Sequence, residues 1–93
     1  MSGQPVILIT GASGSIGAAV AREAARQGWA LALHGRNAEK LAALVAELGG
    51  HAIAADMWQE GAAKDIVGRA ANHFGRIDAV FDCVSTGSGK ITG

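Results

Sequence analysis

The chain contains no tyrosine, one cysteine (Cys83), one proline (Pro5), two phenylalanines and two tryptophans among its 93 residues. With no tyrosine, no phenol is available for acid–base chemistry. A single cysteine rules out an internal disulfide framework and suits a reducing compartment, so the cytoplasm is the expected location. Neither sign of charge is in excess: lysine and arginine together number eight, as do aspartate and glutamate. That balance gives no electrostatic reason to expect DNA, RNA or an acidic membrane as partner. No apolar run is long enough to cross a bilayer, and the opening MSGQP lacks the pattern of a signal peptide. The composition, 49% hydrophobic and 17% charged, is that of a folded chain, and its length suits one small domain spanning residues 1–93.

What the sequence does have is glycine, at 14 positions, set between apolar runs. Val6–Thr10 is a continuous apolar run ending at a glycine turn, the pattern of a strand buried on both faces. Trp29–His34, His51–Ala55 and Ala79–Val84 are further strand candidates. Helical periodicity fills the gaps. Ile16, Ala19, Val20 and Ala24 form one stripe, Leu41, Leu44, Val45 and Leu48 a second, and Ile66, Val67, Ala70, Ala71 and Phe74 a third. Asn37 is a good N-cap for the second helix, and Gly49-Gly50 ends it. Gly28 and Gly75 close the other two, while Gly61 and Gly68 fall near or within the third. Strand–helix alternation with short connections predicts right-handed crossovers and a parallel sheet. The expected fold is a Rossmann-type three-layer αβα arrangement with about four strands in the order 3-2-1-4.

The turn ITGASGSIG leaves the first strand and opens the first helix. Such a turn presents unpaired backbone N–H groups and the positive end of the helix dipole, which together favour a phosphate. Gly11 permits the tight turn, Gly14 or Ser15 lies where backbone approaches a pyrophosphate, and Gly17 lets the helix pack closely on the sheet. Ser13 and Ser15 can donate hydroxyl hydrogen bonds or cap the helix. A carboxylate at the end of the second strand would accept from the ribose 2′-OH of NAD. Gly35, Arg36 and Asn37 hold that place and include no acid. Arg36 either grips a 2′-phosphate through a charge-assisted fork or simply opens an exposed loop.

TGASGSIG, GRN after the second strand, AADM after the third and GRID before the fourth resemble the short-chain dehydrogenase/reductase family in order and spacing, across nearly the whole chain. The resemblance implies an NAD(P)(H)-binding Rossmann domain and hydride transfer to or from a carbonyl or alcohol. It carries the cofactor onto Gly11, Ser13, Gly14, Ser15, Ile16 and Gly17, onto Arg36 and Asn37, and onto Asp56 and Met57. Asp56 would accept from the adenine amine; read without the resemblance, it is an acid near a helix N-terminus. Past the fourth strand Asp82-Cys83-Val84-Ser85 stands where the family has Asn-Asn-Ala-Gly, which brings Cys83, Val84 and Ser85 to the cofactor. The shorter-chain branch usually reads TGxxxGxG; here the middle glycine is one place early, nearer the spacing of the extended branch. With Arg36 in place of an acid, NADP(H) is expected over NAD(H).

The family's catalytic tyrosine, and the lysine four residues after it, have no counterpart here, so no catalytic residue is assigned. The expectation is the cofactor-binding half of an oxidoreductase, inactive alone, with a small carbonyl or alcohol substrate if a longer chain exists. Two alternatives stand beside it: a dinucleotide-binding or sensing module without catalysis, and a remnant that folds only with a partner. A homo-oligomer is a further candidate assembly, because the fourth strand would leave an open sheet edge. Other signals are discounted. GSGKIT lacks both the earlier glycine, replaced by Val84, and the hydroxyl after Lys90, replaced by Ile91, that a P-loop requires. His34, His51 and His73 lack metal-ligand spacing. Cys83 has no base beside it in sequence, and Trp29 and Trp58 are expected to pack instead of stacking on a base.

Overall fold

The structure, a computed structural model, describes residues 4–83. Seven elements alternate along it: β1 (Val6–Thr10), α1 (Ser15–Arg26), β2 (Ala30–Gly35), α2 (Ala38–Leu48), β3 (His51–Ala54), α3 (Ala62–Phe74) and β4 (Ala79–Asp82). The four strands form one parallel sheet in the order β3-β2-β1-β4. Its register sets Leu8 between Ala32 of β2 and Val80 of β4. β1 is paired on both edges and buried at all five residues, which is why its sequence is apolar without alternation.

Successive side chains of the strands divide between two cores. Ile7, Ile9, Leu31 and Leu33 face α1 and α2 and meet Ala21, Ala24, Leu41 and Leu44. Leu8, Ala32 and Ile53 face the other way and meet Ala62, Ile66 and Ala70 of α3. Each fully buried leucine or isoleucine contributes about 1.5–3 kcal/mol. The result is the three-layer Rossmann-type arrangement expected from the sequence. Among the described residues β4 is an edge strand, and its Val80 and Phe81 remain exposed.

Helix phase departs from the expected stripes in two places. In α1 the buried residues are Gly17, Ala21 and Ala24, whereas Ile16 is 69% exposed. The helix is turned by about one residue because its first turn lies against the backbone of the glycine turn, where only Gly17 fits. In α3, Ile66 and Ala70 are buried but Val67 is exposed, since α3 packs on its sheet face along a narrow i, i+4 seam.

The connections follow local chemistry. Asn37 caps α2, its Oδ1 accepting from the backbone N–H of Lys40 at 3.0 Å. α1 is capped differently from either serine option: Gly14 is its N-cap, and no side chain bonds to the exposed first turn. α3 begins and ends on glycines in left-handed backbone, Gly61 at φ 78° and Gly75 at φ 81°. Beyond Gly75, Asp78 fastens β4 to β1. Its Oδ2 accepts from the backbone N–H of Val6 at 2.8 Å, and the Arg76 guanidinium donates to Oδ2 at 2.9 Å and to Oδ1 at 2.7 Å. These hydrogen bonds, first that of Arg76 and then that of Val6, hold the Asp78 carboxyl below its usual range.

Candidate functional site

The carboxyl ends of parallel strands are where an open α/β sheet offers a crevice. Here a cleft of about 470 Å³ opens above the ends of β1, β2 and β4. Its lining includes Gly11, Ser13 and Gly14 from the glycine turn, Arg36 and Asn37 from the end of β2, Met57 from the β3–α3 loop, and Cys83. Seven residues singled out in the sequence for a cofactor thus converge from four segments.

The glycine turn is built by close approach. A Cβ on Gly17 would collide with the carbonyl oxygen of Gly11 and lie 2.7 Å from Cα of Ala12. Both are backbone atoms, so the collision cannot be relieved by a rotamer change. The first-turn N–H groups of Ser15, Ile16 and Gly17 precede the first helical donor, the Ala18 N–H that bonds to the Gly14 carbonyl, and form a donor cluster at the positive end of α1. Gly11 itself lies at φ 71°, a conformation that favours glycine. Ser15 lines a neighbouring cleft of about 390 Å³ between α1 and α2. Ile16 lines neither cleft and stands in solvent beside the turn.

His34, discounted as a metal ligand in the sequence, organises the floor. It is 1% exposed at the end of β2. Its Nδ1 accepts from the backbone N–H of Gly11 at 3.2 Å, and its Nε2 meets the carbonyl oxygen of Ala55 at 2.9 Å. Nε2 therefore carries the hydrogen and Nδ1 is the bare acceptor. Backbone bonds run parallel to these: Ala12 N–H donates to the carbonyl of His34 at 2.7 Å, and Ala55 N–H to that of Gly35 at 3.1 Å. Next to it, Gly35 packs closely under the turn: a Cβ there would lie 2.7 Å from Oγ of Ser13, so the Ser13 side chain would have to shift.

Lys40, Trp58 and His34 line the cleft but were not singled out for a cofactor in the sequence, and Gly35, the first residue of GRN, lines it as well. Lys40 had a usable signal, one helical turn beyond Arg36. Trp58 is 60% exposed and faces the cleft instead of packing, which corrects the expectation for it. Neither Arg36 nor Lys40 forms an ion pair with a described residue, and both are exposed. Asp56 does not line the cleft; it lies six residues before α3, and its Oδ1 accepts from Trp58 N–H at 3.0 Å, shaping the loop that carries Met57 and Trp58. At the opposite wall Thr10 Oγ1 donates to Asp82 at 2.7 Å, closing the ends of β1 and β4 together. Burial, and then the charge of Asp82, push the Cys83 thiol up, so it is a poor nucleophile. Val84 and Ser85 lie outside the described residues.

A family model described as short chain dehydrogenase matches residues 5–92. The chain belongs to the short-chain dehydrogenase family. It is 44% identical over 80 residues to a serine 3-dehydrogenase of Agrobacterium fabrum, covering 84% of this chain and 31% of that protein. It is also 40% identical over 90 residues to an A-factor type gamma-butyrolactone 1′-reductase of Streptomyces virginiae, covering 91% of this chain and 35% of that protein. This short-chain dehydrogenase chain thus spans about a third of the length of these curated relatives. Among solved structures, a 3-ketoacyl-(acyl-carrier-protein) reductase from Brucella melitensis complexed with NADH matches at a TM-score of 0.77 and 29% identity, covering 82% of this chain and 32% of that one. The family is one of nicotinamide-dinucleotide oxidoreductases, and the cleft lies at the strand ends where such a fold places a ligand. No helix among the described residues is long and apolar enough to cross a membrane.

Proposed function

We propose that residues 1–93 form the cofactor-binding domain of an NADP(H)-dependent oxidoreductase, one that transfers hydride between the nicotinamide and a carbonyl or alcohol substrate. The observation that carries the cofactor preference is the pair of cations Arg36 and Lys40, which have no ion-pair partner among the described residues, on a cleft wall that no described carboxylate lines. A ribose 2′-phosphate would find two cations there, whereas the 2′-hydroxyl of NAD would find no carboxylate to accept from it. Gly11, Ser13, Gly14 and the first-turn N–H groups of Ser15, Ile16 and Gly17 would hold the pyrophosphate. Asn37 would border the 2′-phosphate, Met57 the adenine, with Asp56 behind it holding the loop through Trp58 N–H, and Cys83, Val84 and Ser85 the far ribose. The bound dinucleotide would supply the hydride to a carbonyl or accept it from an alcohol; the residues of this chain would bind and orient the dinucleotide. A cytoplasmic setting fits the lone cysteine.

Titration calorimetry of the chain with NADP+ and NAD+ tests the reading. A charge-assisted hydrogen bond contributes about 1.5–3 kcal/mol, so NADP+ should bind roughly ten- to hundredfold more tightly, and Arg36→Ala should remove most of the difference. Equal affinities for the two dinucleotides, or an unchanged preference in Arg36→Ala, would refute it.

A further inference from the structure

His34 is the one buried imidazole on the cleft among the described residues, and its two ring nitrogens bond to different segments. One segment is the glycine turn, through Gly11 N–H. The other is the β3–α3 loop, through the carbonyl of Ala55, next to Asp56, Met57 and Trp58. The two segments come from opposite sides of β2, since β1 and β3 are its two neighbours in the sheet. Backbone bonds from Ala12 N–H to the His34 carbonyl and from Ala55 N–H to the Gly35 carbonyl fix where each loop leaves the sheet, and the imidazole adds a second, side-chain tie to each.

We propose that His34 is a positioning residue for the dinucleotide, joining the phosphate-side turn to the adenine-side loop so that both walls of the cleft are held ready before the ligand arrives. The inference rests on the dinucleotide reading of the cleft given above. A ligand that spans the cleft must engage both walls at once. Walls tied by the ring as well as by backbone have little freedom to lose on binding, whereas walls held by the backbone bonds alone must be ordered further at the ligand's expense. Cutting the link also strands the Gly11 N–H or the Ala55 carbonyl in a partly buried place. The role is not catalytic, because the ring is buried and bonds only to backbone.

Three substitutions separate the two links. In His34→Asn the carboxamide oxygen stands near the position of Nδ1 and retains the bond to Gly11, while the link to Ala55 is lost. In His34→Gln the amide nitrogen stands near the position of Nε2 and retains the bond to Ala55, while the link to Gly11 is lost. His34→Leu removes both. NADP+ is titrated into each variant, alongside adenosine 2′,5′-bisphosphate, under conditions where circular dichroism shows a folded chain. Amide hydrogen exchange is read at Gly11 and across residues 56–58.

The expected result is a loss of NADP+ affinity of about tenfold or more in His34→Leu, with smaller losses in the other two. Exchange should quicken at Gly11 in His34→Gln and across residues 56–58 in His34→Asn, a division that a general loss of stability would not produce. Folded His34→Leu binding NADP+ within twofold of wild type overturns the proposal. Should His34→Leu not fold, unchanged affinity in both His34→Asn and His34→Gln overturns it equally. Wild-type chain that binds neither NADP+ nor NAD+ refutes the dinucleotide reading, and the positioning role with it. Wild-type binding with indifferent variants refutes the positioning role alone.

Discussion

Replacing Gly17 with alanine places a methyl group against the backbone that turns from β1 into α1. The carbonyl oxygen of Gly11 and the Cα of Ala12, the latter at 2.7 Å, would have to move, and with them the first turn of the helix. Overpacking of a tight interior costs about 1–3 kcal/mol and occasionally more, and backbone collision partners put this site at the upper end. Alanine recovers roughly 1 kcal/mol of helix propensity at a helical position, which leaves a net loss of about 2 kcal/mol. For a chain of this length the whole stability is on the order of 5–14 kcal/mol, so the loss is a substantial fraction. Urea unfolding followed by tryptophan fluorescence measures it, with Trp29 packed against the core as the reporter. Gly14→Ala is the control: a Cβ there would sit 3.6 Å from the Gly11 carbonyl oxygen, an ordinary contact, and should cost under about 1 kcal/mol. Dinucleotide affinity should fall in Gly17→Ala along with stability, because the shifted turn carries the donor N–H groups. If Gly17→Ala unfolds within about 0.5 kcal/mol of wild type, the close approach of helix and turn is not as described, and the reasoning fails.

Gly68 lies in the interior of α3 with nothing within 4 Å of an added Cβ, so Gly68→Ala should stabilise the chain by about 0.5–1 kcal/mol; a thermal melt that is unchanged or lower would contradict this. His51 stacks on His73 with ring centroids 3.8 Å apart, and burial first, then the charges of His73 and Arg69, lower its pKa from the usual 6.5. The unfolded chain therefore takes up this proton at higher pH than the folded one, so the contribution is present above about 6.5 and is lost as the pH falls through the lower folded value. Urea midpoints measured from pH 7.5 down to 5 should decline, and His51→Phe should flatten the decline; an identical slope in the variant would refute the assignment. The depressed carboxyls of Glu23, Glu47 and Asp78 start from 4.5, 4.5 and 3.8 and fall in a separate, more acid window.

Much of this architecture was legible residue by residue because it depends on short-range physics. The apolar run of β1 reads as a strand buried on both faces, and it is one. Asn37 reads as a cap and is one, because the geometry involves only a side chain and an N–H three residues away. The glycine turn read correctly as the junction of β1 and α1 for the same reason, although its cap is Gly14 and neither serine. The phase of α1 did not: alanine, isoleucine and valine at 16, 19, 20 and 24 give an acceptable stripe, but the steric limit at Gly17 lies in the neighbouring turn and overrides it. Trp58 was misread because its exposure depends on which loop faces the cleft, something no local pattern records.

By itself, then, the sequence determined the alternation of strands and helices, the Asn37 cap of α2, the glycine breaks, and the family to which the chain belongs. Each of these follows from side-chain periodicity, backbone freedom at particular glycines, or motif spacing, all carried within a few residues of chain. Only the tertiary structure decided that His34 would join two loops 23 and 21 residues away, that Lys40 would share a cleft with Arg36, and that Asp78 would seize the N–H of Val6 from 72 residues along the chain. Those contacts depend on strand order and register. Parallel pairing brings the ends of β1, β2 and β4 to one rim of the sheet, and the residues that meet there have no periodic relation to one another in the sequence.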